Sequence, residues 1–447
     1  MRKFRILLAL ILLVSTVFAQ NDKGWESLFN GKDLTGWHQL NGKAKYTVEN
    51  GEIVGTTVAD TPNSFLCTDK DYGDFVLEVD LLVDNDMNSG IQFRSISKPD
   101  VMNARVHGYQ CEVDPSTRAW SAGIYDEARR GWLYTNELNP EAKKAFKLGE
   151  WNHYRIECVG NSMRTWLNGV PVAYLFDDMT PSGLIALQVH AIGKDGVPGK
   201  QIRWKNVRIK TTGLKATETP DVYIVNLLPN NLSKAEKEQG WKLLFDGKTT
   251  TGWKGLRLDK FPDEGWKVID GCLMTMPNRT ETPVKGMDII SDEKFSAFEL
   301  EFEFNFAEGA NSGVKYFVGN GGPNVGFEYQ VLDDLRHPDA KLGENGDRTM
   351  SSLYDLIPSN KQPRFTKPAG EWNLGRIVVY PDNHIEHWLN GMKVVDYVRG
   401  SADFEAAVAR SKFSKFKDFG MLKEAPILLQ YHGDQVKFRS IKIKKLK

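Results

Sequence analysis

Histidine is the side chain whose ordinary pKa lies nearest neutrality, which suits it to accept a proton in an active site. The chain holds eight, and two occupy equivalent places: His190 and His432 each follow a glutamine by two residues, Gln188 and Gln430. On a strand that spacing puts amide and imidazole on one face. A carboxylate and an amide are paired the same way at Gln110 and Glu112 and, in reverse order, at Glu328 and Gln330. Such a pair can hold several ligand hydroxyls, or act as a base with its orienting partner. Asn88, Gln92 and Arg94 share another face, as do Asn311 and Lys315, so Arg94 or Lys315 can face developing negative charge. Tyr125-Asp126 and Tyr354-Asp355 are equivalent pairs whose phenols are candidate acids, and Asp114 and Asp333 close two of the strands. The plainer readings are strand-end histidines and solvated strand faces. Against them, a polar pair repeated on one face is expensive if that face is core. The Asn-Ser-Gly at 88–90 and 311–313 reads as a turn, and Trp166 and Trp388 read as packing rather than ligand stacking.

These residues recur because the chain is duplicated. GWESLFNGKDLTGW (24–37) returns as GWKLLFDGKTTTGW (240–253), and NSGIQF (88–93) as NSGVKY (311–316). GEWNHYRI (149–156) returns as GEWNLGRI (370–377), TWLNGVPV (165–172) as HWLNGMKV (387–394), and ALQVH (186–190) as LLQYH (428–432). Conserved block order means two copies of one domain, 20–213 and 240–447, joined by a linker at 214–239. Within that linker Ser233 and Glu236 form a capping-box pattern for a short helix that Gly240 ends. Elsewhere the period is two. Phe298, Leu300, Phe302, Phe304 and Phe306 alternate with polar residues, and Phe75 to Val83 is apolar at every odd position, so each is a strand with one buried face. Asn168-Gly169 and Asn390-Gly391 fit hairpin turns that need two residues of positive φ. Helices are expected only at 140–147 behind Asn139 and at 402–410 behind Ser401. The fold class is all-β: two jelly-roll sandwiches in tandem.

Composition narrows the class. The chain has 447 residues, with 58 basic and 58 acidic side chains and no net charge, which argues against a nucleic-acid partner. Arg2, Lys3 and Arg5 precede an apolar run from Ile6 to Phe18, and Ala19 follows. Residues 1–19 therefore read as a signal peptide, and the protein as exported, periplasmic or secreted. The run is too short to span a bilayer and no Cys follows it, so no membrane anchor is expected. Cys67, Cys111, Cys158 and Cys272 show neither metal spacing nor a disulfide framework and read as buried thiols. Oligomeric state is not legible, and no motif specifies a cofactor. Converging carboxylates and histidine are compatible with a divalent cation without requiring one.

The ordered blocks resemble the 3-keto-disaccharide hydrolase family. The second half resembles it more closely, through Phe245 to Trp253, Asn311-Ser312-Gly313, Glu328 to Asp333, His337-Pro338-Asp339-Ala340, Ser352 to Asp355 and Gln430 to Gly433. The first half exchanges carboxylate and amide at Gln110-Cys111-Glu112 and lacks the His-Pro-Asp-Ala segment. The resemblance implies a concanavalin-like fold and a carbohydrate substrate, a glycoside already oxidised at C3. The ketone acidifies the C2 proton, a base removes it, and the aglycone leaves from C1; water addition then makes the net reaction hydrolysis. On that reading His432, Glu328, Tyr354, His190 and Glu112 are the catalytic candidates. Gln330, Gln430, Lys315, Asn311, Asp333, Arg94, Gln110 and Gln188 are the substrate-binding ones. The alternative is a non-catalytic, lectin-like pair of carbohydrate-binding modules. A retaining glucanase site is excluded, because Glu78-x-Asp80 is followed by Val83 and Glu299-x-Glu301 by Phe304, where a second carboxylate is needed.

Overall fold

The computed structural model describes residues 23–83, 87–218, 221–277 and 287–447, so the expected signal peptide lies outside the described residues. Each copy is a sandwich of two sheets. In the second copy the strand Phe298–Phe306 lies mid-sheet, antiparallel to Asn373–Val379 and Val436–Lys445. Its five apolar side chains, Phe298 to Phe306 at even positions, are at most 2% exposed and pack in one core with Tyr329, Val314 and Ile427 of the facing sheet. Burying each such side chain stabilises the fold by about 1.5–3 kcal/mol. The expectation of one buried face is too simple, however. Glu299, Glu301 and Glu303 are also buried, under Arg376 and Lys444, Lys442, and Arg439 respectively. Paired cations from neighbouring strands make that second burial tolerable.

The facing sheet of the second copy runs Trp253–Gly255, Ile289–Phe295, Ala425–Leu429, Asn311–Tyr316, Phe327–Leu332. Its first-copy counterpart contains Leu184–Val189, Ser89–Ser95 and Gly108–Val113 in the same order. Both expected hairpins form, with φ of 51° and 80° at Asn168 and Gly169 and 49° and 78° at Asn390 and Gly391. Ser401 caps Ala402–Arg410. The 140–147 helix shrinks to a 3-10 turn, Pro140–Lys144, and Asn139 instead donates to Pro171 O and Val172 O at 2.9 and 3.0 Å.

The connection between the copies is more than a tether. Ile224–Asn226 pairs in parallel with Val170–Phe176 and extends the first sandwich. The Ser233 capping box forms as expected. From that helix Glu236 binds Lys442 at 2.6 Å, and Lys442 also reaches Glu301 at 2.8 Å. All four cysteines are free and buried. Among the described residues no helix is long and apolar enough to cross a membrane.

Candidate active site

In the second copy three adjacent strands bring the predicted residues together. Lys315 stands opposite Glu328 in the register, and Gly313 opposite Gln330. Gln430 and His432 follow the neighbouring strand Ala425–Leu429. Lys315, Glu328, Gln430 and His432, with Asn311, Gln330, Tyr354, His337 and Asp339, line a cavity of about 610 Å³. The Asn-Ser-Gly is no turn: it opens the strand Asn311–Tyr316, as its counterpart opens Ser89–Ser95. Each of its residues has a task. Asn311 faces the cavity, and Ser312 Oγ donates to the backbone of Gln430 at 2.7 Å. Gly313 leaves room for Glu328, whose Oε1 would be 2.4 Å from any Cβ placed there. The first copy repeats this with Ser89 on Gln188 O, also 2.7 Å, and Gly90 under Gln110.

Gln430 organises the centre. With its amide oxygen toward Lys315, that oxygen accepts from Lys315 Nζ at 3.0 Å and its nitrogen donates to Glu328 Oε1 at 2.9 Å, while His432 Nε2 lies 3.0 Å from both amide atoms. Lys315 Nζ also lies 3.1 Å from Glu328 Oε2 and donates to Asn324 O at 3.2 Å, so its three protons are all engaged. His432 is exposed on the open side of the cavity and crowded by protein on the others. Burial, helped by the Lys315 charge and opposed by Glu328, holds its pKa below the ordinary value, so the imidazole is neutral at physiological pH. Nearby, the side-chain oxygens of Asn311 and Gln330 are buried without a hydrogen-bond partner, acceptors suited to ligand hydroxyls.

Tyr354 donates its hydroxyl to Asp339 Oδ2 at 2.8 Å. Burial and then the Asp339 carboxylate raise its pKa far above the ordinary phenol, which removes the expected ready acid. Asp339, in turn, is paired with Arg348 at 3.1 Å. Asp333 does not reach the cavity. Gly309 N–H, Leu335 N–H and Arg336 hold its carboxylate, and although burial alone would raise its pKa, these donors lower it on balance. It closes a loop rather than meeting a ligand.

The first copy's residues are also assembled, but with a different chemistry. Gln92 stands where the second copy has Lys315, and donates to Gln110 Oε1 at 2.5 Å; Gln188 donates to the same oxygen at 3.0 Å. Gln110 and Asn88 both donate to Glu112, at 2.9 and 2.5 Å. Its nearest cation, Arg118, is 4.0 Å away and bound to Asp114 at 2.7 Å. Burial therefore raises the Glu112 pKa to about 7 against those hydrogen bonds. His190 Nδ1 bonds the carbonyl of Ala191 at 2.8 Å. Arg94 is the clearest correction. It is 1% exposed and turned away, its guanidinium held by Gly73 O, Gly160 O and Asp74.

Sequence reasoning missed the segment after Ala402–Arg410. It supplies Lys412, Phe413, Lys415 and Phe416 to the cavity wall. The only signal was length: 399–424 joins two strands that 177–183 joins in the first copy.

Trp166 and Trp388 are half-buried and each carries a cation on its ring, and Trp388 also lines a second cavity of about 360 Å³. Arg155 and Arg376 lie 5.5 and 4.9 Å from their ring centroids, as Lys205 and Arg439 lie over Trp151 and Trp372 at 3.7 and 3.9 Å. Two places bring ligating groups together. In the cavity Lys315 already neutralises Glu328, which disfavours a metal there. Among the described residues, one trio of ligating groups converges, His384, Glu386 and Asp396, and Lys393 bridges its carboxylates at 3.1 and 2.5 Å.

The 3-keto-alpha-glucoside-1,2-lyase-like domain matches residues 24–210 and again 240–444. The chain belongs to this family, in two tandem copies. A curated relative from Bacteroides thetaiotaomicron, named 3-keto-disaccharide hydrolase, is 37% identical over 232 residues, covering 46% of this chain and 79% of the relative. A solved Parabacteroides distasonis structure described as a candidate glycosyl hydrolase is 30% identical over 49% of this chain and 100% of its own, with a TM-score of 0.43. A Bacillus subtilis carbohydrate-binding module is 18% identical over 39% and 95%, with a TM-score of 0.29. Family membership makes this a glycoside hydrolase-type enzyme, built as two β-sandwiches.

Proposed function

We propose that this enzyme cleaves 3-keto-glycosides in the second-domain cavity, by removal of the C2 proton and elimination of the aglycone from C1. The observation that carries this reading is the Gln430 amide, which fixes His432 and Lys315 side by side. His432 is the base. Lys315, pinned by Glu328, is a fixed positive charge that stabilises the enolate oxygen without reorganising. Asn311 and Gln330 accept hydroxyls of the sugar ring. Glu328 is thereby the partner that positions Lys315 rather than a second base. Hydration of the resulting glucal gives net hydrolysis. We place the enzyme outside the cytoplasm on the basis of residues 1–19, and N-terminal sequencing of exported protein should begin near Gln20.

The test is turnover of a 3-keto-glucoside beside the unoxidised glucoside, followed by glucal absorbance. Only the ketone makes the C2 proton removable, so the first should react and the second should not. Equal rates would end the elimination mechanism, and binding of both without turnover would favour the module pair.

A further inference from the structure

Elimination from C1 needs a second proton transfer, because an alkoxide or sugar oxygen is a poor leaving group until it is protonated. Lys315 and Tyr354 do not supply that proton freely. Lys315 has all three N–H groups engaged. Tyr354 is bound to Asp339 and raised in pKa. His337 Nδ1 accepts from Asp339 N–H at 3.1 Å, which leaves the proton on Nε2 and makes His337 the rival donor. Lys412 differs. It lines the same cavity, and among the described residues its Nζ has neither a hydrogen bond nor an ion pair. It rests instead 4.1 Å from the centroid of the Tyr354 ring. That ring is fixed from behind by Asp339, and Arg348 binds both Asp339 and Asp355. Asp355 in turn accepts from the backbone N–H of Lys412 at 2.9 Å. The ammonium is therefore held over an aromatic platform by a residue of the cavity wall.

We propose that Lys412 is the general acid of this reaction, delivering its proton to the glycosidic oxygen as the C1–O bond breaks; this rests on the elimination reading above. The step balances. His432 takes the C2 proton and the C–H electron pair enters the enolate. As the ketone reforms, that pair becomes the C1–C2 double bond, and the C1–O pair departs with the aglycone oxygen, which takes the Lys412 proton. Solvent then reprotonates the amine. The charged groups that act on Lys412 are Glu328 and Asp355, which favour its proton, and Arg348 and Lys315, which oppose it. Burial is the largest influence, and the balance leaves its pKa below the ordinary lysine value, in the direction that makes the proton easier to give up.

Leaving-group dependence tests the assignment in the full-length protein. Lys412→Met and Lys412→Arg would be compared with the unaltered enzyme on methyl and para-nitrophenyl 3-keto-glucosides. A nitrophenolate departs without help, whereas methoxide does not. Lys412→Met should lose roughly 10²–10⁴-fold on the methyl substrate, the typical worth of a general acid, and far less on the nitrophenyl one. Lys412→Arg keeps the charge but holds its proton, and should show the same contrast. Equal losses on both substrates, or an arginine variant fully active on the methyl glucoside, would overturn the assignment. Deuterium exchange at C2 separates the two levels. Unaltered enzyme that neither exchanges nor eliminates ends the elimination reading and this proposal with it. Normal turnover with an unchanged leaving-group ratio in the variants ends this proposal alone.

Discussion

The two sandwiches use one scaffold to hold two different electrostatic sites. Both place a Ser under the Gln-bearing strand and a Gly beneath a long polar side chain. Above that shared floor the second copy sets an ammonium against a carboxylate, Lys315 and Glu328, with His432 tied to them through Gln430. The first copy sets amides against a carboxylate, so Glu112 is buried with its cation, Arg118, only as near as 4.0 Å. The second also carries the long 399–424 connection, whose lysines and phenylalanines wall its cavity. The lesson is that duplication preserved the hydrogen bonds holding the strands together, while the side chains over them diverged. A fixed positive charge is what the proposed enolate would need, and in the described residues the second copy builds one from a strand-borne ammonium.

The largest test of this difference is a pair of histidine variants. His432→Ala should lower kcat on a 3-keto-glucoside by roughly 10²–10⁴-fold with little change in melting temperature, whereas His190→Ala should do much less. A large loss only at His190 would move the active site to the first domain, and no loss at either would remove histidine from the mechanism.

The carboxylates should differ next. Glu112 has a folded pKa of about 7 against an ordinary 4.5. Its proton therefore favours the folded state fully below pH 4.5, and that contribution is lost as pH rises toward and through 7. Glu112→Gln should stabilise the protein by up to about 3 kcal/mol at pH 8 and hardly at all at pH 4. Glu328→Gln should show no such gain, because it leaves the buried Lys315 ammonium short of its counter-charge. Denaturant melts at the two pH values decide this, and a gain at Glu328 would erase the electrostatic contrast.

The smallest effect is steric. Gly313→Ala and Gly90→Ala both push a Cβ into a polar side chain, at 2.4 Å from Glu328 Oε1 and 2.3 Å from Gln110 Cδ. Each should destabilise by about 1–3 kcal/mol. Only Gly313→Ala should also lower turnover, since it displaces the carboxylate that pins Lys315; equal turnover losses would show that both sites contribute.

Local pattern by itself determined the strands, the hairpins, the duplication and the pairing of Gln with His, because each depends on residues near in sequence or on a repeated spacing. The period-two alternation of Phe298 to Phe306 needs no partner to be read. What faces a strand does depend on partners, so the burial of Glu299, Glu301 and Glu303 under cations from other strands was not legible. The same limit explains Arg94 and Asp333. Their spacing put them among the site residues, but Arg94 turns to carbonyls of two distant turns, and Asp333 to the N–H groups of its own loop. Lys412 lay in a segment with no counterpart in the first copy, so the repeat could not point to it. Tertiary structure alone set it over Tyr354, because the separation of two side chains 58 positions apart is fixed by how the chain folds back, not by any spacing along it.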